Sequence, residues 1–562
     1  MIIPFSCRWI HHIVPLFLLS RVITATDYQL QRWDPIRSSL KPGQSDHFTY
    51  NINVTQLGQD YFNTVEVLLF ISGTIESMPL RYYNLTDNTQ FQNDTALQVT
   101  YYFSPSDPSN STKIGYNNIT FENGYIMALG TSPITYNPLF ALEEQETTNI
   151  TGQSLVLEYT TLHLEVSLIN PQTGEIIQPS DNDDYYDYED DDDNLWTYHL
   201  GVAEDDQLFQ YDERSWIHVL DTDHNSALVT SGNDSTRLTT YLKTNNTLES
   251  PYELFLYSLK DSEIIENNLN CSLSAILNGP YMATSISNDS NSTPSTNYKK
   301  ISLNVHSLQI QKQLVGDDQL SNVQDMLYIS GLAPNTTYAL YLIRKIGTRM
   351  SNNDNSITGV VFSRQLITTK VKSTCSIIFN LDICSSVAYA APTPLKYYVN
   401  KTAMANDYDS LVRSLYENFT TALQLIPCDA ELDQRYSPLR TCEDCAQSYL
   451  NWLCSIMIPR CSSPGNFGSI FRKKFKSRNS LIDTFIQPTD NYYELMPCID
   501  SCYEMVRDCP AQFGFSCPNI KSSDELFRHS YSYFNSSESS ETCNFLGNSS
   551  HLIDRKNFLF PK

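Results

Sequence analysis

No window of the 562-residue chain has the character of a clean membrane-spanning helix. The best candidate, CSIIFNLDICSSVAYAAPTPL from Cys375, carries Asn380 and Asp382 and then meets Pro392 and Pro394. An Asp at mid-helix costs about 3 kcal/mol on insertion, so a buried extracellular segment is the better reading. The C-terminal NFLFPK is also too short for the apolar tail of a lipid-anchor signal. Positive charge is scarce: 37 Lys and Arg face 63 acids, a formal charge of −26. That balance excludes a phosphate backbone as partner, because nucleic acid requires a basic footprint. Catalytic signatures are missing as well, with no G-x-S-x-G elbow, H-E-x-x-H, phosphate-binding loop or dinucleotide fingerprint. His199, His218, His224 and His306 lie scattered in β-rich sequence, and carboxylate pairs carry no specificity where acids are so abundant. The chain is therefore read as non-enzymatic.

What is present points outward from the cytosol. Residues 1–25 have the shape of a secretory signal, with Arg8, a short apolar run from Ile13 to Leu19, and small or polar residues at Thr24 and Ala25. N-x-[ST] triplets begin at Asn53, Asn84, Asn93, Asn110, Asn118, Asn149, Asn233, Asn245, Asn270, Asn288, Asn291, Asn335, Asn400, Asn418, Asn535 and Asn548. In a translocated chain they imply a heavily glycosylated ectodomain. None lies between Asn418 and Asn535. Glycans cannot occupy a core or a tight interface, so that bare interval is where dense packing or a partner is expected.

The sequence divides into a β-rich, sandwich-like region over 26–180, an acidic linker over 181–195, a second β-rich region over 196–370 and a cysteine-rich helical region over 371–562. Short β-branched and aromatic runs such as FNTVEVLLFISG and LQVTYYF mark the first. In SLVLEYTTLHLEVSL, residues Leu155, Leu157, Tyr159, Leu162, Leu164 and Val166 keep a period near two. The acidic stretch DNDDYYDYEDDDD is an exposed loop by self-repulsion. Its residues Asp181, Asp183, Asp184, Asp187, Glu189, Asp190, Asp191, Asp192 and Asp193 lack the spacing that wraps one calcium ion and form at best a diffuse cation sink. In the second region, Leu332, Pro334 and Tyr338 follow the fibronectin type III rhythm, in which a Tyr closes the corner with its hydroxyl. SNDSNSTPSTNYKK from Ser287 is a polar insertion, and Cys271 is the only cysteine between the signal region and Cys375.

Twelve cysteines crowd the end of the chain: Cys375, Cys384, Cys428, Cys442, Cys445, Cys454, Cys461, Cys498, Cys502, Cys509, Cys517 and Cys543. An even count in a secreted chain reads as a disulfide framework whose pairing the sequence does not choose. Leu411, Leu415, Phe419, Ala422 and Leu423 share one helical stripe. Thr441 is placed as an N-cap before Cys442, Cys445, Tyr449 and Trp452, and PCIDSCYEMVRDCP forms a third short helix. The C-x-x-C of Cys442 and Cys445 has no neighbouring His for a mixed zinc site. Disulfide staples are the main reading, with an all-thiolate zinc site and a redox pair as alternatives. The basic run FRKKFKSR holds Arg472, Lys473, Lys474, Lys476 and Arg478. It reads as a solvated loop, or as an electrostatic contact to an acidic protein face or anionic membrane groups, in either case outside the stapled core.

CSIIFNLDICSSVAYAAP, CEDCAQSYLNWLCSIMIPRC and MPCIDSCYEMVRDCPAQFGFSCP resemble the C-terminal signature of the fungal mating-pheromone-induced-death protein family. The resemblance implies a non-pore regulatory subunit of the yeast high-affinity, stretch-activated calcium channel. Such a subunit associates with a large four-repeat, voltage-gated-like calcium channel in the plasma membrane and supports calcium influx during mating, cell-wall and endoplasmic reticulum stress. It further implies a frizzled-like cysteine-rich domain from Cys428 to Cys543 that docks on the channel, with Tyr449 and Trp452 as core or contact aromatics. Animal relatives of that part attach to the outer face of a sodium leak channel. On this reading the chain holds no tightly bound cofactor, carries N-linked glycans, and leaves calcium to the partner's pore. It sits at the extracellular face of the plasma membrane and in the lumen of the endoplasmic reticulum. The alternative is a cell-surface or cell-wall glycoprotein without a channel partner.

Overall fold

The computed structural model describes residues 25–52, 66–79, 95–105, 112–136, 155–157, 159–178, 195–232, 251–259, 262, 265, 269–278, 309–316, 323–346, 358–394, 400–427, 430–431, 435–519, 523–538 and 540–555. The signal segment up to residue 24, the acidic stretch Asp181 to Asp193, the polar insertion from Ser287 and Cys428 lie outside them. The chain divides into two compact units, one of Met1–Gln210, Glu266–Ala275 and Gly347–Thr358, the other of Tyr211–Ile265, Ile276–Ile346 and Gly359–Lys562. Among the described residues, no helix is long and apolar enough to cross a membrane.

In the first unit, one sheet runs Ala25–Leu30, Ser45–Asn51, Tyr159–Ile169, Ala96–Pro105, Ile114–Thr120, and a second runs Ile36–Leu40, Trp196–Ala203, Glu66–Ser77, Tyr125–Tyr136, Leu155–Leu157. Alternation builds the core: Leu97, Val99, Tyr101 and Phe103 of one strand and Leu162, Leu164, Val166 and Leu168 of its neighbour are buried. Phe48 of the first sheet meets Tyr198 of the second edge to face, with ring centroids 6.4 Å apart. The Tyr198 hydroxyl donates to the buried Asp46 carboxylate at 2.7 Å, so the polar end of a core tyrosine is satisfied. One sequence expectation is refined. The period-two run from Leu155 to Val166 is not one strand, since Leu155–Leu157 pairs in the second sheet while Tyr159–Ile169 pairs in the first. Periodicity alone cannot report that a chain changes sheet.

In the second unit, Gly359–Phe362, Thr337–Lys345 and Tyr252–Ser258 lie side by side, with Gln365–Thr368 also on Thr337–Lys345. A facing sheet runs Ile217–Thr222, Ser226–Ser231, Val323–Ser330, Gln309–Gly316. Ile217, Val229, Leu254, Leu327, Ile329, Leu340 and Leu342 form the core between them. The Tyr338 hydroxyl accepts the Ala333 N–H at 2.8 Å while Leu332 is buried beneath the turn, and Asn335 takes the left-handed conformation at φ 51. This is the corner that the Leu332–Pro334–Tyr338 spacing anticipates. Tyr338→Phe is expected to lower unfolding stability by about 1 kcal/mol in denaturant titration, because the Ala333 N–H loses its acceptor.

Candidate partner-docking module

Among the described residues, the cysteine-bearing part of the second unit has four α-helices, α1 (Lys401–Leu423), α2 (Cys442–Met457), α3 (Ile499–Asp508) and α4 (Asp524–Ser530). It also contains two small β elements that the helical sequence expectation did not contain. One is the hairpin of Cys375–Ile378 and Tyr389–Pro392, the other a three-stranded sheet in which Tyr492–Leu495 lies between Arg460–Ser462 and Ser469–Arg472. Helix α1 starts where the Asn400 side chain accepts the Ala403 N–H at 3.0 Å. Its buried residues Met404, Tyr408, Leu411, Val412, Phe419 and Leu423 recur at helical spacing. The first four pack on Leu453, Cys454 and Met457 of α2. Phe419 and Leu423 join Cys445, Ile499, Cys502, Met505 and Phe527, so α1 is shared by two cores. Helix α2 opens with a capping box, in which Thr441 Oγ1 accepts from the Asp444 N–H and the Asp444 carboxylate accepts from the Thr441 N–H at 2.8 Å.

Five disulfides join Cys375 to Cys461, Cys384 to Cys454, Cys445 to Cys509, Cys498 to Cys543 and Cys502 to Cys517. Cys442 is disulfide-bonded too. Cys445 is thus tied to the far end of α3 rather than to Cys442, which leaves the C-x-x-C without an internal redox bond. Among the described residues no group of three or more His, Cys, Asp or Glu is placed to hold a metal ion. Cys271 is buried in the first unit, where its thiol donates to Asn270 Oδ1 at 3.2 Å.

Tyr449 and Trp452 are half-buried and committed to packing. Tyr449 stacks on Phe419 with ring centroids 3.6 Å apart, and Trp452 Nε1 donates to the Tyr531 hydroxyl at 2.9 Å. The basic run separates by residue type. Arg472 Nε and Arg478 Nε donate to the two oxygens of the wholly buried Glu494 at 2.7 and 2.9 Å, so these two belong inside the module, contrary to the expectation of a run wholly outside it. A guanidinium fork supplies the several donors that a buried carboxylate needs. Lys473, Lys474 and Lys476 stay exposed.

Sequence reasoning missed a second set of charges. The strand Ile217–Thr222 and the turn that follows it present Asp221 and Asp223, respectively, to the cysteine-bearing elements. Asp221 accepts from Lys370 Nζ at 2.9 Å and from the Ala390 N–H at 2.9 Å. Arg460 Nε approaches it at 3.6 Å while another Arg460 nitrogen donates to the Leu220 carbonyl. Asp223 accepts from the N–H groups of Asn225, Ser226 and Ile377, and from Lys401 Nζ at 2.8 Å. Burial pushes the Asp223 carboxyl up, but the Lys401 ammonium and those N–H donors more than reverse this and hold it below the ordinary carboxylate range. Burial pulls the Lys401 amine down, and Asp223 with the Tyr328 hydroxyl carries it above its ordinary value. Beside them, burial, aided by the Lys401 ammonium, holds the His224 imidazole low against the opposing pull of the Asp223 carboxylate. Asp409 on α1 likewise accepts the N–H groups of Ile383 and Cys384 at 3.0 Å. These ties fix the hairpin, α1 and the β-sheets of this unit as one body.

Of the sequons, Asn118, Asn335, Asn400, Asn418 and Asn548 are exposed, and Asn270 and Asn535 are partly so. Asn53, Asn84, Asn93, Asn110, Asn149, Asn233, Asn245, Asn288 and Asn291 lie outside the described residues. Within the sequon-free interval, Tyr503 and Val506 stand exposed one turn apart on α3.

Residues 68–549 match the family described as a stretch-activated Ca2+-permeable channel component. The chain is 38% identical over 526 residues to the stretch-activated cation channel MID1 of Saccharomyces cerevisiae, covering 93% of this chain and 88% of that protein. It is 30% identical over 454 residues to the stretch-activated cation channel yam8 of Schizosaccharomyces pombe, covering 80% and 81% of the two chains.

Proposed function

From the premise that this chain belongs to the family of stretch-activated Ca2+-permeable channel components, we propose that it is a non-catalytic regulatory subunit whose cysteine-bearing module docks on a four-repeat calcium channel. The pore belongs to that partner, and this chain supports calcium influx during mating, cell-wall and endoplasmic reticulum stress, with sensitivity to stretch. It acts as a secreted, N-glycosylated protein in the lumen of the endoplasmic reticulum and at the outer face of the plasma membrane, and the module is frizzled-like. The observation that carries the docking reading is the cross-linked face around α3. Cys445–Cys509 and Cys502–Cys517 hold this helix rigid, no sequon falls between Asn418 and Asn535, and Tyr503 and Val506 stand exposed on it. A preorganised surface of this kind loses little entropy on association. A docked subunit regulates by binding one state of the channel's outer loops more tightly than another.

Purification of the full chain from native membranes in mild detergent is expected to bring down a large multi-span protein. Val506→Asp is expected to lower that capture roughly tenfold at unchanged thermal stability, with calcium uptake reduced in cells that carry it. Recovery of wall glucan alone, or of nothing, would sink the proposal in favour of a cell-surface or wall glycoprotein without a channel.

A further inference from the structure

The tip between Ser469–Arg472 and Arg478 sorts its side chains by direction. Arg472 and Arg478 turn inward onto the buried Glu494, while Lys473, Lys474 and Lys476 stand exposed with no carboxylate partner among the described residues. Phe475 is 58% exposed and holds a left-handed backbone at φ 57. Glycine and asparagine take that conformation without strain, and a bulky aromatic there is an outlier. Neither burial nor backbone preference accounts for this Phe, whose ring lies 5.0 Å from Lys474 Nζ. Phe471, 47% exposed, lies tilted against the Tyr493 ring with centroids 5.2 Å apart. The tip is held in shape from beneath, since Lys474 N–H donates to Asn491 Oδ1 at 2.8 Å and Ser477 N–H to the Asp483 carboxylate at 3.0 Å.

We infer that this tip is a membrane-docking element, with Phe471 and Phe475 entering the headgroup boundary of a bilayer while Lys473, Lys474 and Lys476 meet anionic lipid phosphates. Three observations favour a lipid surface over an acidic protein face. Lysine is depleted at protein interfaces, where arginine is enriched, and here both arginines are committed inward. Lysines interleaved with outward aromatics are the composition of interfacial anchors. Three exposed lysines close together on a chain of net charge −26 make a local attraction for anions. The inference uses no channel contact, so its test is separate from the capture experiment.

The test is cosedimentation of the full purified chain with vesicles of phosphatidylcholine alone and of phosphatidylcholine mixed with phosphatidylserine. Binding is expected to the mixed vesicles, to fall with added salt as the charges are screened, and to survive inorganic phosphate at matched ionic strength. The triple change K473Q/K474Q/K476Q should weaken it roughly a hundredfold, about fivefold per lysine. Phe475→Gly relaxes the left-handed backbone without creating a glycan acceptor before Lys476 and Ser477, so it should keep thermal stability while weakening vesicle binding. Failure to bind, equal binding to both vesicle types, or unaltered binding by the triple variant would overturn the inference. Loss of channel capture by that variant without vesicle binding would likewise overturn it and assign the tip to a protein face.

Discussion

Replacing both Cys445 and Cys509 by Ala is expected to lower unfolding stability by about 4 kcal/mol and to cut secretion, because the bridge closes a loop of 64 residues across the module's second core. In the chain-entropy account, a cross-link restricts the unfolded chain more as the loop lengthens. The Cys502–Cys517 bridge closes a loop of only 15 residues on the same helix. Its removal should cost about 3 kcal/mol, and denaturant unfolding of the secreted proteins reads the difference. The single change Cys445→Ser adds a second penalty by leaving a buried hydroxyl among Phe419, Ile499, Met505 and Phe527. Retained secretion and stability in the double variant would remove the cross-linked frame from the explanation of docking.

How far the sequence announced this arrangement depends on how local each determinant is. The Tyr338 corner, the Thr441 cap and the stripe through Leu411, Phe419 and Leu423 were legible because their partners lie within a few residues or one helical period. The strand through Leu155 and Leu164 was legible as strand, but its division between two sheets was not. The basic run announced its charge, yet only the fold separates Arg472 and Arg478, bound to Glu494, from the lysines that face solvent. Asp223 gave no local signal at all. Its cationic partner Lys401 is 178 residues away, and in a chain with 63 acids a buried carboxylate looks like any surface one until its donors are known.

The same separation explains why family membership and physical reading support each other. The residues quoted for the resemblance, from Cys375 to Pro392, Cys442 to Cys461 and Met496 to Pro518, supply cysteines to all five of the disulfides described. They are also where the module's hairpin, α2 and α3 lie. A cysteine pattern encodes the frame, and the frame decides which of the intervening residues are left to face a partner.

Lys401→Met is expected to cost about 3–5 kcal/mol near neutral pH, since it leaves the wholly buried Asp223 carboxylate without its cation. Asp223 keeps N–H donors from Asn225, Ser226 and Ile377, which lessens the loss without replacing the charge. The double change Asp223→Asn with Lys401→Met should cost less than Lys401→Met alone, because no unpaired charge remains in the interior. The pH dependence carries the sharper test. In the native protein the Asp223 carboxyl lies below its unfolded value, so its contribution is complete above the ordinary carboxylate range and disappears as pH falls through the folded value. Lys401 lies above its unfolded value, so its contribution is complete below the ordinary lysine range and disappears as pH rises through the folded value. His224, held low and 4.0 Å from Asp223, adds to the acid flank in the same direction as the carboxylate. Without Lys401, burial governs Asp223 and raises its folded value, so this site then favours the acid side. The stability gap between native protein and Lys401→Met should therefore narrow steadily as pH falls through the carboxylate range, measured by denaturant unfolding at each pH. A gap that stays constant across that range would mean that the ion pair does not hold the cysteine-bearing elements to the β-sheets of the second unit.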